Sequence, residues 1–97
     1  MIYLKINKTE FSEIVAICDE ELIGKTFIEN DLKLDITERF YKGKLMKEDE
    51  IVDILKHAKN INIIGKNAVN LAIKNNIIEK ENIIKIKKIP HAIIFGI

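Results

Sequence analysis

The chain reads as one α+β domain over residues 1–97, a mixed sheet of about five strands with two main helices on one face. Three observations lead there. Short segments at 2–7 and 32–37 alternate apolar and polar residues, the period of a strand with one buried face. Two longer segments, 47–59 and 66–76, place apolar residues at the i, i+3, i+4 spacing of a helix face. Between them Ile61, Ile63 and Ile64 stop at Gly65, so a buried strand feeds directly into the second helix; with a further strand at 83–87, residues 61–87 form a βαβ unit.

Taken in order, Ile2, Leu4 and Ile6 alternate with Tyr3, Lys5 and Asn7 in a half-buried strand, and residues 7–10 turn the chain. Residues 11–17 return as a second strand. Ile14, Val15, Ala16 and Ile17 are apolar on both faces, which sets it further inside the sheet. Residues 18–24 make a single helical turn: Asp19 stands at its cap, Glu20 and Glu21 lie where the helix dipole favours anions, and Gly24 suits a left-handed end. Leu32, Leu34 and Ile36 mark another strand, and Phe40-Tyr41-Lys42-Gly43-Lys44 a turn carrying exposed aromatic rings.

In the segment 47–59, Ile51, Ile54, Leu55 and Ala58 share one face. Its acids, Glu48, Asp49 and Glu50, fill the first turn, and Lys56, His57 and Lys59 fill the last, as the dipole prefers. In 66–76, Val69, Ala72 and Ile73 make one stripe and Ala68, Leu71 and Ala72 an adjoining one, so this helix packs on more than one side. Ile83, Ile84 and Ile86 mark the next strand, Pro90 interrupts, and residues 92–97 form a last apolar strand.

With 47% hydrophobic and 32% charged residues the composition is that of a folded domain and excludes a disordered tail. The first sixty residues carry ten Lys or Arg against thirteen Asp or Glu, and residues 61–97 carry six against two, so the only basic region is the C-terminal third. A lone cysteine, Cys18, excludes an intrachain disulfide and suits a reducing compartment. The N-terminus alternates instead of running apolar, unlike a signal peptide, and no apolar run nears the roughly 20 residues of a membrane span. A cytoplasmic protein with no membrane partner is expected.

Few residues suggest chemistry. The phosphate-loop motif is absent, because Asp19 stands where its first glycine would precede Gly24-Lys25-Thr26. Gly65 opens a helix whose free amides, with Lys66, would seat one phosphate group, although a tight strand-to-helix turn is its simpler role. Acids following Cys18 disfavour a thiolate, so a packed structural thiol is expected. His57 reads as a helix C-terminal cation; His91, stiffened by Pro90, reads as a contact to phosphate or base, or as a polar residue at a strand start. One Cys and two scattered His give no metal-ligand spacing, and no metal or cofactor is expected. Lys85, Lys87 and Lys88, extended by Lys66 and Lys74, suit a nucleic-acid backbone, but no aromatics are interleaved for base stacking.

The strings Cys18-Asp19-Glu20-Glu21-Leu22-Ile23-Gly24-Lys25, Phe40-Tyr41-Lys42-Gly43, Gly65-Lys66-Asn67-Ala68-Val69 and Ile89-Pro90-His91-Ala92-Ile93-Ile94-Phe95, in that order, resemble the archaeal family called domain of unknown function 424. The resemblance covers essentially the whole chain and implies a small cytoplasmic archaeal protein, without bringing an activity or a catalytic residue. One departure is Asn75-Asn76, where relatives tend to have a glycine; Asn tolerates the same left-handed conformation.

Two functions follow as expectations. The first is a non-catalytic module that binds RNA or a ribosome-associated complex through Lys66, Lys85, Lys87, Lys88 and His91. The alternative is a protein-interaction module or small enzyme subunit that uses the acidic turn Asp19, Glu20, Glu21 and the aromatic pair Phe40, Tyr41. No base–nucleophile or paired-acid constellation is visible for a free-standing enzyme.

Overall fold

A computed structural model of the chain describes residues 1–96. Strands β1 (Ile2–Lys8) and β2 (Glu13–Asp19) form the expected hairpin, followed by a 3-10 turn at Glu20–Leu22. A separate hairpin of β3 (Thr26–Glu29) and β4 (Leu32–Asp35) comes next, then the short helix α1 (Glu38–Tyr41) and β5 (Lys44–Met46). Helix α2 (Glu48–His57), strand β6 (Ile61–Ile64) and helix α3 (Lys66–Lys74) lead through a 3-10 turn at Lys80–Asn82 to β7 (Ile83–Ile86) and β8 (Ile89–Ile94).

The main sheet has six strands in the order β5-β1-β2-β6-β8-β7, one more than the sequence suggested. Only β2 and β6 run parallel as neighbours; the other pairs are antiparallel. The βαβ unit is present but split. β6 and β7 both run antiparallel to β8, hence parallel to each other, with β8 inserted between them.

Both faces of the sheet are covered. Ile2, Leu4, Val15, Ile17, Ile61 and Ile63 point to one side and meet Ile51 and Leu55 of α2 and Ala68, Val69 and Ala72 of α3. Ala16, Cys18, Ile64 and Ile86 point to the other, under Leu22, the β3–β4 hairpin and Tyr41 of α1. This two-sided burial is why the 14–17 run of β2 is apolar throughout. Fully burying residues such as Ile17 and Ile63 stabilises the fold by about 1.5–3 kcal/mol each.

Pro90 does not interrupt: it is the second residue of β8, opposite Lys85. It lies beyond the end of β6, beside Gly65, whose amide it serves as acceptor at 3.0 Å. The Gly65 carbonyl is turned into α3, accepting from Val69 at 2.9 Å, so no partner waits for the N–H that proline lacks. Asn76 is left-handed at φ 59°, as its place after α3 requires.

Candidate functional site

The α3 N-terminus would be an anion site had the chain not supplied its own anion. Asp19 closes β2 on the helix-bearing side of the sheet, and its carboxylate accepts from the amides of Asn67 at 2.9 Å and Ala68 at 2.8 Å. It therefore caps α3, forty-eight residues away in sequence, and makes no side-chain bond to the 3-10 turn that follows it. Gly65 permits the approach: at φ 110° it tolerates a turn that side-chain-bearing residues rarely adopt, and a Cβ there would lie 2.7 Å from each Asp19 carboxylate oxygen. Burial pushes the Asp19 carboxyl upward and the two amide bonds oppose it. The seat expected for a phosphate beside Lys66 is occupied.

Two other expected surface residues are interior. Tyr41 is buried, its hydroxyl donating to Asn62 Oδ1 at 2.8 Å, while Phe40 is half-buried with its ring edge-on to Tyr41. The turn expected at 40–44 begins inside α1, whose start is capped by Thr37, and this points Tyr41 down onto the sheet. With Asp19 also buried, Glu20, Glu21 and part of Phe40 are what the expected interaction residues leave at the surface.

His91 faces the same buried side, where Nε2 lies 3.0 Å from Asn62 Oδ1, the oxygen that Tyr41 also uses. Asn62 Oδ1 thus accepts from both, which sets the His91 proton on Nε2. Burial lowers the His91 pKa. Cys18 is fully buried nearby, its thiol donating to the Asp19 carbonyl; burial, then the charges of Asp19 and Glu21, push its pKa up to about 12. Such a thiol is inert.

The lysines separate into two sets. Lys66 at the start of α3, Lys85 on β7 and Lys88 at the β7–β8 turn line one groove of about 610 Å³, joined by Lys80, which the sequence pattern did not single out. The groove floor is aliphatic: Val69 and Ile73 from α3, Ile83 from β7 and Pro90 from β8. Asn70 supplies its one uncharged hydrogen-bonding side chain. Among the described residues none of the four lysines has a carboxylate within 4.0 Å; the two ion pairs, Lys8–Glu13 and Lys42–Glu38, lie elsewhere. Lys87 and His91 do not join this groove. The Lys87 amide instead donates to Glu29 Oε1 of β3 at 3.1 Å, and His91 points through the opposite face.

The turn that carries Lys88 is unusual. Ile86 pairs with Ile89, leaving Lys87 and Lys88 as a two-residue loop with φ of 51° and 66°. Both central residues of such a turn are left-handed, which favours Asn-Gly over two lysines. Among the described residues, no three His, Cys, Asp or Glu side chains gather as a metal site would need, and no helix is long and apolar enough to cross a membrane.

A mixed six-stranded sheet with its two longer helices on one face, a β-hairpin and the short α1 on the other, and a lysine-rimmed groove at its β7–β8 end defines a small α+β domain. The chain belongs to the family described as protein of unknown function DUF424, which it matches over residues 7–97. It is also similar to an uncharacterized conserved protein from Methanopyrus kandleri, whose crystal structure aligns with 25% sequence identity and a TM-score of 0.78 over 99% of this chain and 93% of that one. No curated protein matches the chain.

Proposed function

We propose that this protein is a non-catalytic module that binds single-stranded RNA in the groove between α3 and the β7–β8 hairpin. The observation that carries the reading is the convergence of Lys66, Lys80, Lys85 and Lys88 on one groove, none of them neutralised by an ion pair. Four ammonium groups that share a concave surface raise the local concentration of a polyanion and release its counterions on contact. Glu79 and Glu81 flank Lys80 in sequence but neither lines the groove. An A-form duplex fits this site poorly, because the groove is open, small and floored by aliphatic carbon instead of following a long phosphate track.

Fluorescence anisotropy with a labelled single-stranded RNA over a salt series tests the reading. Affinity should fall with salt with a log–log slope near −0.7 for each phosphate neutralised, and the double charge reversal Lys85→Glu, Lys88→Glu should flatten that slope by about 1.4. Unchanged affinity in the double variant would remove the groove from the interface.

A further inference from the structure

We infer that Glu29 is a positioning residue for the groove: from near the tip of the β3–β4 hairpin it holds the β7–β8 turn in its left-handed form and so keeps Lys88 at the ligand. This rests on the RNA-binding reading above and names what holds that same site in shape.

The turn is the weak point of the groove wall. Lys87 and Lys88, at φ 51° and 66°, both occupy backbone that an L side chain disfavours, and neither is the Asn or Gly that suits such a turn. A conformation of this kind persists where the surrounding structure imposes it. Among the described residues one side chain bonds the turn: Glu29 Oε1 accepts from the Lys87 amide at 3.1 Å, across 58 positions of sequence. Among those residues the same carboxylate forms no ion pair with Lys87 or Lys88, so it fixes the backbone and leaves the Lys88 ammonium free.

Glu29 is itself held in place. It closes β3 two residues beyond Phe27, so both side chains share the ribbon face turned toward the main sheet. Phe27 and Leu34, paired across the ribbon, pack with Ile86 in the core on that side. At the root of the ribbon the Gly24 N–H donates to the Ile36 carbonyl at 2.7 Å and the Ile36 N–H to the Lys25 carbonyl at 2.9 Å. The hairpin lies outside the main sheet and lines no part of the groove, yet it reaches the groove wall through this carboxylate.

Charge and position make opposite demands, which separates them. By charge alone an acid beside a lysine-rimmed groove repels a polyanion, and its removal tightens binding. Glu29→Ala and Glu29→Gln remove the same charge, and only Gln keeps an oxygen for the Lys87 amide. In the RNA salt series Glu29→Ala should lose one phosphate contact, flattening the log–log slope by about 0.7 and weakening binding about fivefold at roughly 0.1 M salt. Glu29→Gln should bind at least as tightly as wild type, with an unchanged slope. Lys87→Asn suits left-handed backbone and lies off the groove, so it should restore binding and slope in the Glu29→Ala background. Glu29 lies outside the buried core, and circular dichroism should show each variant folded. Tighter or unchanged binding by Glu29→Ala, an equal loss in both single variants, or a loss that Lys87→Asn does not restore overturns the positioning role while leaving RNA binding standing. Absence of binding by the wild-type protein overturns both.

Discussion

Replacing Asp19 by Ala tests the contact that joins β2 to α3. The substitution removes both acceptors and leaves the Ala68 amide buried with nothing to bond. Hydrogen bonds to a charged group contribute about 1.5–3 kcal/mol each, and the carboxylate's own desolvation, which raises its pKa, offsets part of the sum. A net loss of about 2–4 kcal/mol is expected. With an unfolding entropy near 2.1 cal/mol/K per residue, about 0.2 kcal/mol/K for this chain, the midpoint should fall by about 10–20 °C. Thermal unfolding followed by circular dichroism measures it. The vacated seat also becomes the anion site that the sequence suggested. Formate or phosphate at a concentration equal to its Kd should restore about 0.4 kcal/mol to the variant and nothing comparable to the wild type. A midpoint within about 2 °C of wild type, with no anion dependence, would refute the cap as a stabilising feature.

Two further outcomes follow from the hairpin and from the buried polar cluster. The pair Lys87→Asn, Lys88→Gly should stabilise the protein, because left-handed backbone costs an L-residue roughly 1–2 kcal/mol and the freer unfolded glycine returns part of that, a net gain of about 1–2 kcal/mol or 5–10 °C. The same variant should bind RNA more weakly, and a more stable variant with undiminished affinity would argue against Lys88 as a ligand contact. His91 is held neutral below its ordinary pKa, so below about pH 6.5 the unfolded chain takes up a proton that the folded chain refuses. Stability from this source is present above that pH and falls as the pH drops toward the lowered folded value. His91→Gln should keep a donor for Asn62 and flatten the dependence of the urea midpoint between pH 5 and 7; identical slopes in both proteins would contradict the assignment.

Local pattern alone reached most of the elements. Alternation at Ile2, Leu4 and Ile6, the i, i+3, i+4 stripe of Ile51, Ile54 and Leu55, and the break at Gly65 are properties of neighbouring residues, and the strands and helices they announce are present. Hydrophobic period reports how a segment is buried, and burial is already implied by which residues recur. The β3 strand was missed because Thr26–Glu29 is short and pairs only with β4, in a ribbon laid across the sheet instead of within it. Pro90 misled because its missing N–H matters only if a neighbouring strand offers an acceptor, and here that strand has ended.

Contacts between distant segments left no such trace. Asp19 carries the residue type of a helix cap, and its own sequence neighbours supplied a turn for it to cap; which helix receives the carboxylate depends on β2 and β6 lying parallel, with Cys18 beside Ile64. Tyr41 and His91 look equally free in sequence, and both end on Asn62 because α1 and β8 converge over β6. The basic third of the chain was legible as charge, whereas the choice of Lys66, Lys80, Lys85 and Lys88 over Lys87 was not. Charge is a property of composition. The direction in which a lysine points is set by strand register and by a two-residue turn, and those exist once the sheet has closed.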